Sequence, residues 1–289
     1  MIKTIGNGTV NLGLNCSVGE NVSVIFKKDT IFSVGDYVTI GDGVKIIIED
    51  GDVKLGDWST VHANTLVLSK VGVEIGRHCW FGQNSILDGT GGLRIMDGVR
   101  VGMYSQIWTH VAAGEQIEGC KLFSARPTVI MNDAWLVGSC TVGSGITIGE
   151  RAICMNGSNI TKSVPAHTVA LGAPATVREG LSFYRKVTPE NKFSMMCDWV
   201  SEFSEISGFK FLIKDEKTIE IIGDKKILIH LYSNSFLSCM DDPQYVHFCI
   251  ESKTYQKKYS IVEEQLIRFL SGNKARFYPL QNSLDGENN

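Results

Sequence analysis

The chain has almost no charge imbalance: 28 Lys and Arg stand against 31 Asp and Glu in 289 residues, a formal net charge of −3. That balance argues against a polyanion-binding surface and gives no expectation of a nucleic-acid partner. No stretch reaches the roughly 18 consecutive apolar residues of a membrane span, so no span is expected. Met1 to Gly8 has no basic segment leading into an apolar run. The expectation is a soluble, cytoplasmic protein. Its eight cysteines lack any paired CxxC spacing, and neither His78 nor His110 has a histidine five residues away, so no metal site is expected.

What the chain does have is a period. From Ile130 to Pro165 an aliphatic or small apolar residue recurs every sixth position, at Ile130, Leu136, Val142, Ile148, Cys154 and Ile160, with glycine or asparagine often one or two places on. Six is not a helical period. It fits three short flat strands per turn of a parallel β-solenoid, one block for each side of a triangular coil. The register extends upstream through Val34, Ile40, Leu55, Val61, Val67, Ile75, Phe81, Leu87, Ile95, Val101 and Ile107. Four places after each lies a slot for a small inward residue, filled by Ser59, Thr65, Cys79, Ser85, Ser105, Ala134, Cys140 and Ser158 among others. Cysteine in this role is a compact core filler. Two blocks put Lys28 and Asp50 in that slot, and distorted corners are expected there.

Extra residues fall only after a third block, so every insertion sits at one corner of the triangle. The longest runs from about 112 to 129, too long for a tight turn and of the kind that compact domains keep for function. His110 stands at its entrance, in the fourth place of its block, where the side chain points out of the coil. Imidazole suits general base catalysis near neutral pH. A thiolate nucleophile at Cys120, inside the long insertion, is an alternative that requires exposed sulfur and a nearby base.

After Pro174 the period stops. An aromatic and Met-rich segment is expected to be helical from about 190 to 206, followed by strands at 209–213, 218–222, 226–232 and 245–251. Ser260 and Glu263 form a capping-box signature ahead of Ile261, Leu266, Phe269 and Leu270, with Gly272 where that helix stops. The expected organisation is a mainly β solenoid over residues 1–180, a smaller α+β domain over 181–280, and a polar, acidic, disordered tail over 281–289.

The close of the repeat, Ile160-Thr161-Lys162-Ser163-Val164-Pro165 and then Gly172-Ala173-Pro174-Ala175, resembles the signature of the hexapeptide-repeat acyltransferases. The segment Ile107-Trp108-Thr109-His110, a loop, and Asn132-Asp133-Ala134-Trp135 is similar to the sugar and antibiotic O-acetyltransferases among them. The resemblance covers roughly residues 1 to 180 and implies a left-handed parallel β-helix, a hand that general rules for parallel crossovers do not predict. It also implies acetyl-CoA as donor, a carbohydrate hydroxyl as acceptor, and a homotrimer with active sites between subunits. On that likeness His110 is the catalytic base. Trp135, Gly138 and Ser139 line the acetyl and acceptor pocket, the last two through backbone N–H groups. Asn156, Gly157, Thr161, Lys162, Gly172, Ala173, Pro174 and Arg178 lie along the CoA. Arg178 stands near Thr176, where the family often has a basic residue. A sugar-nucleotide N-acetyltransferase and a non-catalytic scaffold are the two other readings of the same fold.

Overall fold

A computed structural model describes residues 2–238, 242 and 244–280; the expected tail over 281–289 lies outside the described residues. The chain divides into two compact units after Phe183.

The first unit is a left-handed parallel β-helix of triangular section. Its first face carries, among others, strands Val53–Leu55, Val73–Ile75, Leu93–Ile95, Thr128–Ile130 and Thr147–Ile148. The second face carries Thr60–Val61, Trp80–Phe81, Arg100–Val101, Trp135–Leu136 and Ile153–Cys154. The third carries Leu66–Ser69, Ile86–Gly89, Gln106–Ile107, Thr141–Val142 and Asn159–Ile160. In the last full coils a residue pairs with one eighteen positions earlier, as Asn159 does with Thr141. Upstream the step lengthens, to twenty between Ile86 and Gln106, and reaches thirty-five between Gln106 and Thr141, where the long insertion leaves the coil.

The period is held from inside. Ile75, Ile95, Ile130 and Ile148 on the first face, Phe81, Val101 and Leu136 on the second, and Leu87, Ile107 and Val142 on the third are all buried. Each such side chain contributes about 1.5–3 kcal/mol of burial. The small slot accepts polar atoms because neighbouring coils satisfy them. Ser59 Oγ donates to Gly76 O at 2.8 Å and accepts from Cys79 N at 3.0 Å, and Cys79 Sγ donates to Met96 O at 3.1 Å.

Two corners explain the recurrent asparagine and glycine. Asn64, Asn84, Tyr104, Ser139 and Gly157 occupy the left-handed region between the second and third faces, a conformation that asparagine and glycine adopt most readily. Between the first and second faces the left-handed residues Tyr37, Trp58 and His78 stack coil over coil, with centroids 4.0 and 6.1 Å apart and ring planes 7° apart in both pairs. His78 is thereby a stacking residue. Lys28 and Asp50 do not point inward: their coils carry four-residue strands, Ser23–Phe26 and Lys45–Ile48, and the two side chains form an exposed ion pair at 2.7 Å across the insertion corner.

The second unit packs helices Pro189–Ser207 and Ile261–Ser271 with a sheet ordered Lys210–Asp215, Thr218–Ile222, Lys226–His230, Tyr245–Cys249, Thr254–Tyr255 and Tyr278–Pro279. Thr188 caps the first helix by accepting from Asn191 N, and Gly208 at φ 78° ends it. Ser260 and Glu263 form the full capping box of the last. A short helix, Ser233–Ser238, follows Lys226–His230 directly and truncates the strand expected to run to 232. Among the described residues no helix is long and apolar enough to cross a membrane.

Candidate active site at the insertion corner

The insertion is a hairpin rather than a structureless loop. His110–Ala112 pairs antiparallel with Phe123–Ala125, a 3-10 turn at Gln116–Glu118 lies near the tip, and the chain rejoins the first face at Thr128, so Val129, expected in the insertion, belongs to the coil. Arg126 N donates to Thr109 O at 2.9 Å and closes its base. Ser144 Oγ, from the next coil, donates to the same oxygen at 2.8 Å.

Under this base lies a carboxylate. Asp88, in the third-face strand of the preceding coil, is fully buried and accepts five hydrogen bonds. Thr90 gives its N–H (3.1 Å) and O–H (2.5 Å) to Oδ1, and Thr109 gives its N–H (2.7 Å) and O–H (2.8 Å) to Oδ2. His110 Nδ1 reaches the same Oδ2 at 2.8 Å. Burial by itself raises the Asp88 pKa, yet the bonds from Thr90, Thr109 and His110 outweigh it and hold the group below the usual carboxylate range. An ionised Asp88 has no proton to give, so Nδ1 of His110 must be the donor. The neutral imidazole then carries its lone pair on Nε2. The His110 side chain is 36 % exposed, against 0 % for Asp88. Trp108 stands edge-on to it, centroids 5.9 Å apart. Such an arrangement can serve as an oriented general base: one nitrogen is fixed by a buried anion and the side chain is partly exposed.

Asp88 is not among the residues expected from the sequence, and Thr109 enters there only as part of the segment Ile107–His110, with no role of its own. The available signal was Asp88-Gly89-Thr90-Gly91 on a third block one coil before His110, which becomes visible only when blocks are compared across coils of unequal length.

The other expected residues fall into three groups around the triangle. Thr161 and Lys162 follow Asn159–Ile160 and share the insertion corner with His110: Trp108 N donates to Val142 O and Gly143 N to Ile160 O, which stacks three coils in order. Gly138, Ser139, Asn156 and Gly157 stack at the corner between the second and third faces. There Gly157 N donates to Gly138 O at 2.9 Å, and a Cβ on Gly157 would meet nothing within 4 Å. Ser139 N donates to Met103 O at 2.9 Å, so the hydrogen expected to serve a developing oxyanion is committed to the coil stack. Trp135 lies 43 % exposed on the second face, in one row with Arg100 and Trp80. The terminal hairpin Val169–Gly172 and Ala175–Arg178 extends that face, with Gly172, Ala173 and Pro174 at its turn and Arg178 opposite Val169. Within one chain only Thr161 and Lys162 come to the corner of His110.

Cysteine chemistry finds little support. Cys140 and Cys154 are buried, and burial, then the neighbouring Cys140, pushes the Cys154 thiol up to about 12. Cys120 lies beyond the 3-10 turn, at the far end of the hairpin from His110.

No family model matches the chain. Among curated proteins it is 36 % identical over 69 residues to a 2,3,4,5-tetrahydropyridine-2,6-dicarboxylate N-acetyltransferase of Staphylococcus aureus, which is 24 % of this chain and 29 % of that protein. It is 41 % identical over 54 residues to the enzyme of the same name from Enterococcus faecalis, 19 % and 23 % of the two chains. The chain thus spans less than a third of the length of these curated relatives. Among solved structures, the polySia-specific acetyltransferase NeuO superposes with a TM-score of 0.55 at 17 % identity, over 70 % of this chain and 98 % of that one. The solenoid has the hexapeptide-repeat acetyltransferase fold. A coil demands little of its sequence: an aliphatic every six residues and a left-handed corner leave the outward positions free to differ.

Proposed function

We propose that the protein is an acetyl-CoA-dependent O-acetyltransferase acting on a carbohydrate hydroxyl, with His110 as general base. The observation that carries this reading is the buried, ionised Asp88 fixing Nδ1 of a partly exposed histidine at the mouth of the hairpin. A sugar hydroxyl is a weak nucleophile at neutral pH. Nε2 of His110 takes its proton as the oxygen attacks the thioester carbonyl, Asp88 stabilises the imidazolium so formed, and collapse of the tetrahedral intermediate expels the CoA thiolate. The imidazolium then returns its proton to that sulfur, which leaves an ester, free CoA and the enzyme unchanged. Base catalysis of this kind contributes about 10²–10⁴-fold.

Lys162, at the same corner, is the cation for the CoA phosphates, with Thr161 beside it. The remaining expected residues lie on other sides of the triangle. They join the site if chains assemble as a trimer, each groove taking His110 from one subunit and Trp135 or the terminal hairpin from the next. Ile117, Leu122 and Phe123 on the hairpin, 90, 57 and 63 % exposed, supply an apolar surface for such packing. The second unit, beyond what the solenoid needs for donor binding, favours a larger acceptor such as a bacterial capsular polysaccharide, O-antigen or glycan precursor.

The test is free-thiol release from acetyl-CoA with a panel of bacterial glycans, beside His110→Ala. Glycan-dependent release that falls at least about a hundredfold in the variant supports the reading. Release indifferent to the substitution removes His110 from the mechanism. Two of the curated relatives are named as N-acetyltransferases, so amino sugars and sugar nucleotides belong in the panel. Exclusive transfer to an amine would replace the hydroxyl reading.

A further inference from the structure

Beside the hairpin base the first face bears a groove of about 620 Å³. Its upper end is formed by Gly92 and Pro127. Both adjoin the residues that hold Thr109: Gly91 N donates to Thr109 Oγ1 at 2.7 Å, and Arg126 N to Thr109 O. The groove therefore starts one residue from the Asp88–Thr109–His110 network and runs toward the N-terminal coils.

Its floor is a column of outward side chains in strict register: Lys54 beside Glu74, Glu74 beside Arg94, Arg94 beside Val129. With strands spaced by about 4.8 Å, this column is roughly 14 Å long. The charges alternate, and Asp52 at the edge makes two acids against two bases. Arg94 Nε and Glu74 Oε2 pair at 3.1 Å, yet both side chains stay more than half exposed, with donors and lone pairs left over. Val71, 65 % exposed, adds an apolar rim. A polymer with a negative charge on each unit would be attracted at Lys54 and Arg94 and repelled at Asp52 and Glu74. Hydroxyl groups, which both donate and accept, match an alternating row of donors and acceptors.

We propose that this groove binds the continuing chain of the acceptor, and that the chain is an uncharged, hydroxyl-bearing glycan of several sugars whose reacting residue lies at His110. This rests on the O-acetyltransferase reading for the identity of the reacting end, but the groove can be tested by itself.

The experiment applies the full-length protein to an array of immobilised neutral and acidic bacterial glycans, then repeats it with Arg94→Ala and the conservative Glu74→Gln. Both positions are exposed, and circular dichroism checks that the variants fold. The expected result is retention on neutral glycans of three or more sugars, weakened roughly tenfold in each variant, the loss of about one hydrogen bond to a charged group. Preference for polyanionic glycans, retention on none, or retention that neither variant changes would overturn the proposal. Thiol release from acetyl-CoA on single sugars, with and without His110→Ala, reports on the reaction alone. No release by the parent chain, or release that His110→Ala leaves unchanged, with array binding intact would sink the catalytic reading and leave the groove standing; His110-dependent release without retention on neutral glycans, or with retention that neither variant changes, would sink the groove only.

Discussion

The two units of this chain each pair a histidine with a second titratable side chain, and the pairs have opposite characters. In the solenoid, His110 is partly exposed and its partner is a buried anion. In the second unit His230 Nε2 and His247 Nδ1 lie 3.0 Å apart, rings stacked, on the parallel strands Lys226–His230 and Tyr245–Cys249, with both residues buried. There burial first, then the neighbouring His230 and Lys258, lowers His247 to about 4, and burial lowers His230 in the same direction. His230 Nδ1 and His247 Nε2 find no hydrogen-bond partner among the described residues. On the proposed reading, one arrangement readies a ring to take a proton from a ligand. The other keeps two rings neutral until the pH falls well below the ordinary histidine range. The residue type is the same; the partner's charge and the access of solvent decide its use.

The sharpest way to break this contrast is Asp88→Asn. An amide at that position removes the anion that fixes the His110 tautomer and stabilises its charged form, so acetyl transfer is expected to fall about 10²–10⁴-fold, mostly in kcat. A drop confined to KM would mean that Asp88 serves acceptor binding instead.

Thr109→Val is the milder probe of the same network. It keeps shape, removes one O–H from Asp88, and leaves the Gly91 N–H without its acceptor. The expected cost is about 1–3 kcal/mol of stability. Thermal unfolding measures it, and a Tm equal to that of the parent chain would show the network to be slack. The remaining bonds to Asp88 should preserve most of the kcat.

The histidine pair predicts an acid-sensitive second unit. Its folded-state pKa values lie below the ordinary value near 6.5, so the unfolded chain binds more protons as pH falls. The stability tied to this pair is therefore fully present above about pH 6.5 and is lost progressively as pH drops toward about 4. Hydrogen exchange of the amides in Lys226–His230 at pH 7 and pH 5 reads it out. The double change His230→Leu/His247→Leu should flatten the dependence, and an unchanged slope would assign it to other groups. Asp88 acts in a lower window, losing its contribution only as pH falls through a value beneath the ordinary carboxylate range.

The six-residue period was readable because each coil repeats one local demand, an aliphatic inside and a left-handed corner, and the corner of every insertion followed by counting. The caps at Ser260 and Glu263 were readable for the same reason: they are local. Asp88 was not. It meets His110 from 22 residues away, through a coil step that varies along the chain and that no block-by-block reading aligns. The His230–His247 contact needed the knowledge that two strands separated by a short helix lie parallel. Trp135 was assigned beside His110 by likeness alone, and in a single chain it occupies a different face.

The closed base of the hairpin has an evolutionary consequence. Because Thr109 and Arg126 are tied to each other and to the coils on either side, the stretch between them hangs from a finished frame. Its part beyond the paired strands His110–Ala112 and Phe123–Ala125 can be lengthened, shortened or rewritten without disturbing the Asp88–His110 pair or the coil register. On the proposed function, a change of acceptor then requires changes in one appendage only, with the Asp88–His110 pair left in place.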